Sequence, residues 1–265
     1  MRGTRRLGRV FMQYDLQRAS VLKRIAAYIF DTMMILIAFS LMAALLSWAT
    51  GYNKYSSEYE QIRLSYEKEY GITMDITAEE YEKLPDTTKE KYEAADAALK
   101  KDEAALRAYG MMFNLSILIS VLGLLFAFLG LELLVPLLLK NGQTLGKKMF
   151  GIGVMQYNGV KLSAAALFVR AILVKYTVET MIPVLILLSV MLGSAGPVAV
   201  MLAIAIPILQ LALLATTKSR VVLHDVIAST VAVDLASQLI FPTEQDRLEY
   251  EARIAAERAK EQKYF

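Results

Sequence analysis

Along this chain, long apolar runs alternate with blocks that hold nearly all of its charge. Runs over about 25–49, 111–139, 178–194 and 197–217 match or approach the roughly 20 apolar residues that carry a helix across a bilayer core of about 30 Å. A water-soluble protein would interleave apolar and charged residues, whereas here they are segregated. The pattern therefore predicts an all-α membrane protein with four transmembrane helices. Only Gly193–Ser194–Ala195–Gly196–Pro197 separates the last two runs, which predicts an antiparallel hairpin.

The segments between the runs have their own periodicities. The 51–109 insert is built largely from Glu, Lys, Tyr and Ala and is helical by propensity. Thr77 with Glu80 and Thr87 with Glu90 have capping-box spacing, with Pro85 marking a break between two helices. Ala95, Ala98, Leu99, Ala105 and Leu106 give the last helix of the insert a weak apolar face. In the 140–176 segment, Gly151–Tyr157 and Val160–Leu162 flank Asn158–Gly159, which reads as a hairpin with a type I′ turn. Ser163 then caps an interfacial amphipathic helix to about Tyr176. Phe168, Ile172 and Leu173 dip into the apolar layer there, while Arg170 and Lys175 meet headgroups. The resulting organisation is a basic N-terminus over 1–24, a membrane domain over 25–235 that contains the 51–109 helical insert, and a charged, helix-prone tail over 236–265.

Composition and charge sharpen this picture. Of 265 residues 56% are hydrophobic, more than one soluble core of this size would hide. The chain has no cysteine and a single histidine, His224, so thiol chemistry, disulfides and multi-histidine metal sites are excluded and no cofactor is expected. The basic start resembles a signal peptide, but 25–49 is too long for a signal's apolar core, and it reads as an uncleaved first span. Lysine and arginine bias sets the orientation. The N-terminus and the 140–176 segment are basic and face the cytoplasm, as do both termini, whereas the acid-rich 51–109 insert lies outside the cell membrane.

Chemistry-bearing residues are few. Gly142–Gln143–Thr144–Leu145–Gly146–Lys147–Lys148 lacks the spacing and the Ser/Thr of a phosphate-binding loop, so Gly142, Gln143, Thr144, Gly146, Lys147 and Lys148 read as a tight turn bearing two cations at the inner surface, explained by structural re-entry of the chain or by contact with anionic lipid headgroups. Asp31 lies two turns beyond Arg24, roughly 10 Å deeper, and Glu132 sits roughly 12 Å in from the same side. Both are candidate ion or proton sites, because intramembrane carboxylates are costly unless paired or functional. Pro136 adds to the case, since it leaves the Glu132 carbonyl without its usual helix donor. The alternative for both is a satisfied structural network, or a protonated glutamic acid. His224 and Asp225 are adjacent and cannot face each other as a catalytic pair, and no nucleophile motif is present, so no enzyme is expected.

Taken together, Arg24 through Asp31, the block Gly142–Val154, and Leu223–His224–Asp225 followed by Thr230–Val233 resemble the RDD family of multi-pass bacterial membrane proteins, named for one arginine and two aspartates. Ser229 stands where that resemblance leads one to expect glycine. The resemblance implies a membrane protein for which transport is the usual proposal, with no established substrate. It also groups Arg24, Asp31 and Asp225, which are expected to form one structural charge cluster at the cytoplasmic end of the bundle.

Two functions follow as expectations. The first is transport of a monovalent cation or a proton-coupled small solute, with the path formed in a homo-oligomer. The second is a non-catalytic adaptor that binds a protein partner through the insert or the basic inner face; neither involves nucleic acid. Transport expects carboxylates facing a watered cavity, and the adaptor expects buried pairs and an exposed apolar patch on the insert. The topology has a direct test in this cysteine-free chain. An impermeant thiol reagent on intact cells will label Ser57→Cys, and will label Asn158→Cys and Ser237→Cys only after permeabilisation; the opposite pattern reverses the orientation.

Overall fold

A computed structural model describes residues 16–139, 141–191, 196–216 and 221–261. The N-terminal Arg2, Arg5, Arg6 and Arg9, Lys140, most of the Gly193–Pro197 turn and Lys218–Arg220 lie outside the described residues. Ten helices and two strands appear among those described. They are α1 (Val21–Thr50), α2 (Tyr52–Tyr70), α3 (Ala78–Glu82), α4 (Asp86–Leu99), α5 (Glu103–Leu139), α6 (Leu145–Met149), β1 (Ile152–Gln156), α7 (Ala164–Val190), α8 (Pro197–Thr216), α9 (Leu223–Ile227), β2 (Thr230–Asp234) and α10 (Glu244–Glu261).

Four of these, α1, α5, α7 and α8, are long and apolar enough to cross a membrane, in agreement with the four runs of the sequence. α8 has no buried residue at all, so a nonpolar solvent is the medium its side chains fit. One reading needs correction. The segment 163–176 does not form a separate in-plane helix, because α7 runs without interruption from Ala164 into the third apolar run. Its Arg170 and Lys175 are buried, at 4% and 8% exposure, and do not meet headgroups. Their partners within the protein make the difference, as described below.

The chain divides into two units, one of residues up to Ala38 with those from Leu125 onward, and the other Phe39–Leu124. In the second unit, Thr77 and Glu80 form the expected capping box, while α4 starts one residue after Pro85 and leaves Thr87 inside the helix. Ala95, Leu99 and Ala105 are buried as their spacing predicted, and Leu106 points out. Tyr66 donates to Asp102, which itself accepts from the backbone N–H groups of Ala104 and Ala105 at the start of α5.

In the first unit, β1 pairs antiparallel with β2, in register from Ile152 opposite Asp234 to Gln156 opposite Thr230. The second edge of β2 is covered by the chain just before α1, where Asp234 N donates to Gln17 O and Arg18 bridges Val233. Val154, Met155, Val231 and Val233 are all buried, so this small clasp carries its own core. The hairpin expected after β1 survives as one bridge between Met155 and Lys161. Its turn is not type I′, because Gly159 alone has a positive φ (82°), and Gly159 N donates to Gln156 O. That is a type I turn closed by a left-handed glycine, the three-residue alternative to the two-residue loop. The first part of the tail joins the clasp through Lys161 N to Phe241 O (2.9 Å) and Phe241 N to Gly159 O (3.0 Å).

Ser229, at the entry to β2, is the one described non-glycine residue in the left-handed region, with φ 53°. A side chain there costs roughly 1–2 kcal/mol, of which glycine's greater freedom when unfolded offsets about 0.4–1 kcal/mol. Ser229→Gly is therefore expected to stabilise the protein by about 0.5–1 kcal/mol and raise the melting temperature in detergent by about 1–2 °C. A fall in melting temperature would contradict the backbone geometry at this position.

Candidate functional site

The buried charges among the described residues belong to the first unit. Asp31 on α1 is 6% exposed, and its carboxylate is fully engaged. Thr144 Oγ1 donates to Oδ2 at 2.5 Å and Gly146 N donates to Oδ1 at 2.8 Å. Thr144 is also the N-cap of α6, accepting from Lys147 N, so one threonine starts a helix and ties it to α1. Gly146 has to be glycine: a Cβ there would collide with the Ala27 carbonyl oxygen and press on the Asp31 carboxylate. Gln143 donates to Ile152 O and holds the turn against β1.

Of the two readings of the motif, these contacts favour structural re-entry over headgroup contact for four of its residues. Gly142, Gln143, Thr144 and Gly146 are buried inside the protein, and Lys148 is the exposed cation of the set. Lys147 is half-buried, and burial together with the nearby Arg170 guanidinium pushes its ammonium down to about 8. No carboxylate lies within ion-pair distance of it among the described residues.

Asp225 on α9 is fully buried and held from two helices. Arg170 of α7 reaches Oδ1 at 2.6 Å, and Arg24 of α1 reaches Oδ2 at 3.5 Å. Thr230 Oγ1 donates to Oδ1 at 3.0 Å and accepts from Arg170 Nη1 at 2.9 Å. The expected trio is thus divided. Arg24 and Asp225 meet, while Asp31 is served by Thr144 and Gly146, with no cation within ion-pair distance among the described residues. Burial pushes the Asp225 carboxyl up, but the arginines outweigh it and hold it down at about 2.

Glu132, 4% exposed on α5, pairs with Lys175 of α7. Both belong to π-helical stretches, Leu129–Leu134 and Val169–Met181. Along the longer stretch and the residue flanking each end, exposed positions recur at Phe168, Leu173, Thr177 and Ile182, spacings of five, four and five. Thr177 Oγ1 donates to Ile172 O and Thr180 Oγ1 to Lys175 O, each five residues back. Roughly 4.4 residues per turn follows from i to i+5 bonding. Nine residues are then about two turns, so Arg170 and Glu179 share a face, where an α-helix would place them two and a half turns apart on opposite faces.

Glu179 faces His224. The imidazole Nδ1 lies 3.1 and 3.0 Å from its two carboxylate oxygens, and His224 N donates to Oε1 at 3.0 Å. Burial, followed by Arg170, pushes the His224 imidazole down from its ordinary value. Neighbouring residues of α9 thus grip α7 at two levels, Asp225 through Arg170 and His224 through Glu179.

Sequence reasoning missed the roles of Arg170, Lys175, Glu179, His224 and Thr230. A signal for Glu179 was present: like Glu132, it is an acid inside an apolar run four residues before a proline, Pro183 in one case and Pro136 in the other. The carbonyl four residues before a proline lacks its usual donor, and both π stretches end just ahead of such a proline.

Fold and buried charge together define a polytopic α-helical membrane protein whose motif residues are internal struts. More specifically, the chain belongs to the RDD family, whose model matches residues 18–229. Neither the curated proteins nor the solved structures contain a match to it.

Breaking a buried ion pair costs about 3–5 kcal/mol when one charge is left behind. Arg170→Met will therefore destabilise the protein on that scale in detergent, and more than Arg24→Met, since Arg170 is the nearer partner of Asp225. With its folded value held at about 2, below that of the unfolded chain, Asp225 contributes stability that is present above about pH 4 and lost as the pH falls towards 2. Acid titration of the melting temperature will show this loss in wild type and not in Asp225→Asn.

Proposed function

We propose that this RDD-family protein is a proton-coupled transporter of a small solute, with Glu132 and Lys175 as its intramembrane proton site. The pair is buried where an open watered cavity was expected of transport, and the observation that carries the reading is instead its setting, a carboxylate and an amine paired across two apolar helices in π-helical stretches. π-Helical turns are frequent at functional sites, and intramembrane acid–base pairs mark proton paths. The pair disfavours the metal-cation form of the hypothesis. The Glu132 carboxylate already holds an ammonium, and the oxygens of Asp31 are taken by Thr144 and Gly146.

The reading includes no enzymatic step. It places the protein in the cell membrane with both termini in the cytoplasm, Lys148 at anionic headgroups, and a homo-oligomer around the solute path, since four spans make a thin bundle.

A second reading, the adaptor, draws on two observations. The carboxylates are paired, and the second unit has an open groove of about 700 Å³ between α2 and α4, walled by Leu64, Ile72, Ile76, Leu84 and Tyr92. Proteoliposomes decide between the two. Under an imposed pH gradient with sodium or potassium outside, wild type is expected to move protons, and Glu132→Gln to lose at least nine-tenths of the rate. The Glu132→Gln/Lys175→Met double variant, which leaves no unpaired charge, controls for folding and stays inactive. Equal movement in wild type and Glu132→Gln, or none in either, transfers the assignment to the adaptor.

A further inference from the structure

We infer that His224 and Glu179 form the proton entry of the Glu132–Lys175 site, a relay running from α9 into the apolar layer. This rests on the proposed proton site and extends it by two residues that no motif of the sequence marked for chemistry.

The geometry is a row of alternating bases and acids. His224 lies on α9, outside the four spans, with Nδ1 against both oxygens of Glu179. Glu179 and Lys175 are four residues apart on the π-helical stretch, close to one turn at roughly 4.4 residues, and so project on one face. Lys175 meets Glu132 on the facing helix. The groups around His224 that bear on its charge are Glu179 and Arg170 from α7 and Asp225 on its own helix. Arg170 is committed to Asp225 and Thr230, which leaves Glu179 as the acid that shares the imidazole's proton. Structural need alone does not explain this choice of residues. Two carboxylates and an amine within the spans, with an imidazole buried beside them, are expensive to desolvate, and an apolar set of similar volume is often as stable or more so.

The steps balance with water as the proton source and sink. His224 takes a proton at Nε2 from a hydronium ion of the surrounding water, leaving a water molecule, and gives its Nδ1 proton to a Glu179 oxygen, so that a neutral imidazole and a carboxylic acid result. Lys175 gives its ammonium proton to Glu132, leaving an amine and a second carboxylic acid. Glu179 then returns its proton to the Lys175 amine. The net change is one proton from water onto Glu132. This last transfer joins two groups that share one face of the π-helical stretch of α7.

His224 is the only histidine, so its imidazole gives one resolved signal in histidine-labelled protein in nanodiscs. We expect the midpoint of that signal to lie below that of a free imidazole, because of burial and the nearby Arg170, and to move by at least half a pH unit in the Glu132→Gln/Lys175→Met variant, which leaves Glu179 and His224 unchanged. In proteoliposomes, proton movement is expected to slow at least tenfold in His224→Ala. It should be restored at least in part by millimolar imidazole, which does nothing for wild type, and rescue of this kind is foreign to a merely structural residue. Should His224→Ala fail to fold, His224→Gln takes its place. A His224 midpoint indifferent to the double variant, or a His224 variant with the wild-type rate and pH profile, overturns the relay. If wild type moves no protons, the transport reading falls and the relay is judged on the nuclear magnetic resonance titration alone.

Discussion

Charge that cannot be left unpaired in an apolar medium organises the first unit of this protein. Asp225 is fully buried, and without Arg170 its desolvation would cost several kcal/mol. Meeting Arg170 constrains α7, because Glu179 must at the same time face His224, the residue next to Asp225. Two adjacent residues of α9 can grip positions nine apart on one face only when that stretch winds with a π period. The same winding sets Lys175 against Glu132 on α5. A single requirement, that each buried charge find its partner, thus selects an uncommon helix geometry and fixes the relation of α5, α7 and α9.

Most of the architecture is legible in the sequence because bilayer-length apolar runs are a strong and simple signal. The four spans, the Thr77–Glu80 cap and the burial of Ala95, Leu99 and Ala105 all follow from length or spacing. Where the reading fails at 163–176, it assumes a period of 3.6. On that period Arg170 and Lys175 flank an apolar stripe and suit headgroups, and on the observed period they point inward with Glu179. The β1–β2 pair was hidden for another reason. Its strands are about 75 residues apart, and a local hairpin competes for β1 in any short-window reading.

The candidate site was legible in part. Glu132 stood out because an acid before a proline in an apolar run has few structural excuses, and Asp31 because of its depth. What each carboxylate bonds to is a tertiary fact that spacing cannot supply. Asp31 is answered by a threonine hydroxyl and a backbone N–H, neither of which carries charge, so no search for a countercharge would find them. Gly146 was noticed for a resemblance to phosphate loops, whereas its role is steric, admitting the α1 backbone where a methyl group would not fit.

The clasp also bears on how the chain is made. β1 is synthesised long before β2, and two apolar spans, α7 and α8, lie between them. Until β2 emerges, β1 is an edge without its partner, and the segment at Gln17–Ala19 waits even longer in chain order for the same strand. Pairing can therefore complete only after the last span has been placed, which makes the clasp a late lock in biogenesis. A chain stalled or cut before Thr230 keeps every span and lacks the strand that joins its beginning, middle and end, exposing it to quality control although its membrane segments are whole.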